Sequence, residues 1–165
     1  MPKILALDQS SRVTGWAVFD GKELVKYGKF EFDSSVPIAK RLYKIRLEVK
    51  NLIEIYDINE LVLEDIQLQN NVVNNVQTFK TLAEVFGVIT EYCEEINLPW
   101  SAVLASSWKH TLGIKGADRT AQKRNAQQYI VDTYGVKPIQ DICDAICIGI
   151  HRVKNPINDG FDWTD

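Results

Sequence analysis

The sequence predicts an α/β fold: a mixed five-stranded sheet with three antiparallel N-terminal strands, flanked by helices. Three observations carry this expectation. The chain opens with three short apolar or alternating runs joined by links too short to cross a sheet. Helically periodic runs then alternate with further short apolar runs, the arrangement that produces parallel strands. The 165 residues, 45% hydrophobic and 25% charged, suit one packed domain and leave little room for a second.

The elements follow in chain order. Ile4–Asp8 (ILALD) and Gly15–Phe19 (GWAVF) are apolar runs separated by the turn-like QSSRVT. Glu23–Phe32 alternates apolar and polar residues as a third strand does. Pro37 stands where a helix can begin, and Ile38, Leu42, Ile45, Val49, Leu52, Ile53 and Tyr56 carry a helical period to Tyr56. Glu60–Glu64 (ELVLE) is a fourth strand. Asn70–Ile96 is a long helix candidate that opens on the helix-poor NNVVNN, so its start is expected nearer Val76. It carries two apolar stripes: Val72, Val76, Phe79, Ala83 and Phe86, and Leu82, Val85, Ile89, Tyr92 and Ile96. One packed face explains one stripe, and the extra width predicts that the helix meets a partner. Pro99–Leu104 is a fifth strand; Thr120–Tyr134 and Ile139–Arg152 are the closing helices. One domain is expected over residues 1–154, followed by a polar, frayed tail at 155–165.

The net charge of −3 argues against a protein that holds nucleic acid by bulk charge, but the charge is uneven. Between Ser101 and Arg124, the five cations Lys109, Lys115, Arg119, Lys123 and Arg124 face the single acid Asp118, a local charge of +4. Cys93, Cys143 and Cys147 lie in apolar stretches without zinc-ligand spacing, which predicts buried, reduced thiols in a cytosolic protein. No apolar run approaches the roughly 20 residues of a membrane span.

Four acids stand where acids are expensive. Asp8 and Glu64 each end an apolar strand, and Asp141 and Asp144 share one face at the start of an apolar helix. Each alone has an ordinary explanation: Asp141 as a helix N-cap with Asp144 favouring the dipole, Asp8 capping a turn with Ser10 or Ser11. No lysine or arginine lies within these segments, and together the four ask for a divalent cation. Mg²⁺ prefers carboxylates and keeps coordination positions for phosphate. Asp65 should point to the opposite side of its strand from Glu64, and His151 lies two turns beyond Asp144; both are reserve candidates.

These segments also carry a resemblance. LALDQSSRVTGWAVF resembles the first strand-turn-strand of the RuvC family of Holliday-junction resolvases, and VLEDIQ its second acidic strand. NNVQTFKTLAEVFGVI is similar to the helix with that family's dimer contacts, and DICDAICIGIHR to its C-terminal D-x-x-D-A helix. The resemblance reaches to about Arg152 and is nearest the short bacteriophage-encoded branch, which would place the protein in the bacterial host cytosol. It implies an RNase H-like fold with Asp8, Glu64, Asp141 and Asp144 as a catalytic tetrad. That tetrad would hold Mg²⁺, with Mn²⁺ able to substitute. Lys109 and Lys123 would stand near the scissile phosphate, and Arg12, Gln67, Lys115, Arg119 and Arg124 would contact DNA. A homodimer joined through Phe79, Leu82, Ala83 and Phe86 would nick four-way junctions in pairs, with three-way junctions and flaps as further substrates. Gln9 and Ser10 replace the family's Pro-Gly, which should loosen the turn. Gln67 replaces a base-stacking aromatic, which predicts looser selection among branched DNAs.

Two other functions compete. An ATP-binding module of the actin and sugar-kinase type also begins with a strand, an aspartate and a phosphate-binding turn, but needs a second related domain. A non-catalytic binder of branched DNA would keep the basic segment, yet four acids would then cost it affinity.

Overall fold

The computed structural model describes residues 1–67 and 72–156, with side chains for all of these except 72–75. Asn70, the side chain of Val72 and the tail from 157 onward lie outside the described residues. Five strands, β1 (Lys3–Asp8), β2 (Val13–Asp20), β3 (Glu23–Glu31), β4 (Glu60–Glu64) and β5 (Trp100–Val103), form one sheet in the order β3-β2-β1-β4-β5. β1, β2 and β3 pair antiparallel, while β4 pairs parallel with both β1 and β5. The mixed sheet is therefore the one the sequence predicts.

Strand alternation sorts the core into two layers. Leu5, Leu7, Val18, Leu61 and Leu63 face α1 (Ile38–Tyr56) and α2 (Val72–Glu95), where they meet Ile45, Val49, Leu52, Val85 and Ile89. Ile4, Ala6, Ala17, Phe19 and Val62 face α3 (Ala105–Leu112), α4 (Arg119–Tyr134) and α5 (Gln140–Lys154). α5 is the central helix of that layer: Ala145 through Ile150 are all buried. Its far end is anchored by the buried pair of Arg152 with Glu60 at the start of β4, whose second contact, Nη2 to Oε2, spans 2.9 Å.

Helix ends follow local chemistry. Asp118, the one acid of the basic segment, caps α4 by accepting from the Ala121 N–H at 2.8 Å. Gly113 and Gly135 end α3 and α4 at φ values of 66° and 69°, where a Cβ is costly. One sequence expectation is corrected: α2 begins by Val72, not near Val76. The short helix α3 lies in a stretch to which the sequence assigned no element; eight residues give too few turns for a period to stand out.

Candidate active site

Asp8 follows Ile4 and Ala6 on the strand face that looks toward α5, and Glu64 follows Val62 on the same face. Asp8 pairs across the ladder with Gly15 of β2, and the missing side chain there has a purpose. A Cβ at Gly15 would overlap the Asp141 carbonyl oxygen, so the first turn of α5 lies directly on the sheet beside Asp8. Gly149, farther along α5, is pressed against the Phe19 ring in the same way. Two glycines, one on each partner, thus seat the helix that carries Asp141 and Asp144.

The four acids feel one another. Burial pushes the Asp8 carboxyl well above its usual range, and the charges of Asp144, Glu64 and Asp141 push it further. A hydrogen bond between the two carboxyls raises Asp8 and lowers Glu64. Burial raises Glu64 as well, against the lowering effect of the Trp108 indole, which donates to Glu64 Oε1 at 3.4 Å. Asp144 is raised by burial and drawn back by Lys109, Lys123 and Arg119. Glu60 gives the contrast on the same strand: it is buried too, but fully engaged by Arg152. Glu64 has no such guanidinium. A buried carboxylate without a permanent partner is costly to stability and suits a site that takes up a cation. Among the described residues no three His, Cys, Asp or Glu side chains stand close enough to cage an ion in this conformation.

A cleft of about 420 Å³ opens beside these acids, lined by Glu64, Trp108, Lys109, Arg119, Lys123 and Asp144. One wall is acidic and the other basic. Glu64 and Asp144 offer carboxylate oxygens on the acidic side, which fits a hard divalent cation, and the basic side fits a phosphate.

The sequence model of the family described as "Crossover junction endodeoxyribonuclease RuvC" matches residues 4–152. The chain belongs to the RuvC family. Proteins called crossover junction endodeoxyribonuclease RuvC are similar along its length. That of Magnetococcus marinus is 26% identical, over 90% of this chain and 82% of its own. That of Brevibacillus brevis is 25% identical, over 92% of each chain. Among solved structures, Thermus thermophilus RuvC in complex with a Holliday junction substrate superposes with a TM-score of 0.74 at 14% identity, over 92% of each chain. The Fowlpox virus resolvase, solved with Holliday junction DNA, gives 0.64 at 12% identity, over 94% of this chain and 99% of its own. The fold is therefore RNase H-like, as the resemblance implied, and the protein is a nuclease of the RuvC family.

Within this RuvC fold the expected residues divide. Asp8, Glu64 and Asp144 come together with Lys109 and Lys123, and Asp141 contributes from the first turn of α5. Asp141 is not the helix cap: Ile139 holds that position and no side chain caps α5. Lys29 of β3, adjacent to Gly15 in the sheet, approaches Asp141 Oδ2 at 3.9 Å and Glu31 at 3.2 Å. The acids thus do meet cations, but from distant segments that a local reading misses. Arg119, expected as a DNA contact, lines the cleft; Lys115 and Arg124 are exposed outside its lining. Gln67 is exposed just beyond β4. Arg12 is exposed near Asp33, whose carboxyl is held low chiefly by the Ser35 N–H and also by Arg12. Asp65 is exposed and bonds its own neighbour's N–H at Ile66. His151 Nδ1 meets Thr111 Oγ1 at 2.8 Å and so ties α5 to α3.

The expectation of a loose first turn is overturned. Ser10 Oγ accepts from the N–H groups of Arg12 and Val13 at 3.3 and 3.2 Å, and Thr14 Oγ1 donates to the Ser10 carbonyl at 2.9 Å. Arg41 of α1 donates to Ser11 Oγ at 2.9 Å. Side chains do here what Pro-Gly does by backbone restriction. The same bonds occupy amides that a nucleotide-binding turn would offer to phosphate, which removes the physical basis of the ATP-binding reading. All three cysteines are free and buried, and burial pushes the thiols up, to about 12 for Cys93 and about 11 for Cys143.

Proposed function

We propose that the protein is a divalent-metal-dependent endonuclease that resolves four-way DNA junctions as a homodimer, with three-way junctions and flaps as further substrates. The observation that carries this reading is a cleft with Glu64 and Asp144 on one side and Lys109, Arg119 and Lys123 on the other. Asp8 and Asp141 lie near enough that burial and the neighbouring acids together raise the pKa of Asp8 and of Asp144. Membership of the RuvC family supports it, and a relative of the same fold has been solved with a Holliday junction.

Asp8, Glu64, Asp141 and Asp144 would hold Mg²⁺, or Mn²⁺ in its place, whose charge would offset their mutual repulsion. The metal supplies charge stabilisation for an in-line displacement at phosphorus. Lys109 and Lys123 face the reacting phosphate and offset its developing charge, and Arg119 orients it from the same wall. The products would carry 5′-phosphate and 3′-hydroxyl ends. Gln67, Arg12, Lys115 and Arg124 lie outside the cleft and would hold the arms of the branched DNA. The catalytic domain spans residues 1–154, and it works in the cytosol, where buried thiols stay reduced. Among the described residues no helix is long and apolar enough to cross a membrane.

The test uses labelled synthetic junctions with Mg²⁺ and with EDTA. Paired nicks in Mg²⁺ and none in EDTA are expected. A protein that binds the junction in both and cuts in neither is a structure-specific binder, and the reading falls.

A further inference from the structure

Glu64 ends β4 at the point where β1 and β4 stop pairing. The last rung of that parallel ladder joins Leu7 to Leu63. One step beyond it, Gln9 is buried, 4% exposed, and turns its side-chain amide onto the backbone of Glu64. Its Nε2 donates to the Glu64 carbonyl at 2.6 Å, and its Oε1 accepts from the Glu64 N–H at 3.2 Å. A primary amide offers a donor and an acceptor in one plane, as a peptide group does. The side chain therefore supplies one more rung. At the other end of Glu64, the buried Trp108 of α3 donates its indole N–H to the carboxylate. Trp108 is 2% exposed and packed in the core, so that donor is fixed in place.

We infer that Gln9 and Trp108 are positioning residues for cleavage: Gln9 fixes the backbone of Glu64, Trp108 fixes its carboxylate, and together they set it against Asp8. Gln9 lies outside the cleft lining, and Trp108, although it lines the cleft, is only 2% exposed and spends its indole N–H on Glu64. Each acts through Glu64, so each matters to the rate and not to the hold on DNA. A catalytic carboxylate displaced by about 1 Å loses on the order of 10²-fold in rate. The inference rests on the nuclease reading for its kinetic arm only.

Gln9→Met keeps the length and removes both bonds; Trp108→Phe keeps a ring in the core and removes the indole N–H. In single-turnover cleavage at saturating enzyme, each variant should be slower by tenfold or more, while the junction Kd stays within twofold of wild type. Hydrogen exchange tests the clamp without activity. In Gln9→Met the Glu64 amide should lose protection, while the Asp65 amide, which donates to the Val103 carbonyl at 2.8 Å, keeps its own. In Glu64→Ala the Trp108 indole proton resonance should move and exchange faster. That variant reads the Trp108 bond from its other side even where Trp108→Phe folds poorly. Wild-type cleavage by Gln9→Met, a rate loss matched by a loss of binding, or an unchanged Glu64 amide would overturn the inference. A wild-type protein that never cuts would sink the nuclease reading instead, and the exchange and resonance measurements would still decide the clamp.

Discussion

Asp8 concentrates the chemistry at the scale of single residues. Asp8→Asn is expected to abolish cleavage while junction binding survives or tightens, measured by gel cleavage and titration of labelled junctions. Its effect on stability has the opposite sign. A carboxyl whose pKa is raised on folding binds more protons folded than unfolded. Stability therefore falls as pH rises from the unfolded pKa, near the usual 3.8, through the raised folded value. In EDTA at pH 7 the Asn variant should melt higher than wild type, by about 2–4 °C for each kcal/mol of repulsion relieved in a chain this size. The difference should shrink as pH falls toward 4. An Asn variant that melts lower at pH 7 and cuts normally would refute the assignment. Lys109→Ala and Lys123→Ala should slow cleavage by on the order of 10²-fold with smaller effects on Kd. The sequence made these residues legible because charge at the end of an apolar strand is conspicuous. Gln9, Trp108 and Lys29 were not legible. A buried amide or indole breaks no pattern in its own segment, and its partner lies 55 residues away in the first case and 44 in the second.

At the scale of elements, the decisive contact is α5 on β2. Its close seat depends on Gly15, and the obstacle to a side chain there is backbone, which cannot move aside by changing rotamer. Gly15→Ala should leave a folded protein, with native circular dichroism, whose cleavage falls at least tenfold because Asp141 and Asp144 stand off from Asp8. Near-wild-type cleavage by that variant would show that the helix has slack. α2 tells a different story. Its second stripe is spent on the core through Val85, Ile89 and Tyr92, and Phe86 of the first stripe packs edge-on against Trp100 of the same chain, ring centres 5.9 Å apart. Phe79, Leu82 and Ala83 remain half-covered, and Val76 is 53% exposed. The proposed dimer seam therefore centres nearer Val76 and Phe79 than Phe86. Phe79→Glu should sediment as a folded monomer that nicks slowly and loses paired cuts, since an unpaired charge is poorly tolerated in an apolar interface. A variant that stays dimeric would move the interface elsewhere. Apart from the start of α2 and the short α3, strand and helix positions were readable from periodicity to within a residue or two, because both faces of the sheet are covered. What periodicity did not reveal was that α5 is the helix buried almost all round, from Ala145 to Ile150.

At the scale of the whole molecule, a net charge of −3 coexists with a cationic cleft wall, so attraction for DNA is local. Arg124→Ala, outside the cleft lining, should flatten the dependence of log Kd on log salt by about one unit and leave the saturated rate alone. Arg119→Ala should change both, and identical behaviour of the two would contradict the separation of cleft from arms. The tetrad also has a consequence for synthesis. Asp8 lies on β1 and Asp144 on α5, so the strand leaves the ribosome well before the helix. Until α5 emerges, the sheet lacks the buried layer from Ala145 to Ile150, and Asp8 and Glu64 lack Asp141 and Asp144. If the four acids act together as proposed, a chain released before α5 is made would be a poor nuclease, and cutting competence would wait for that helix.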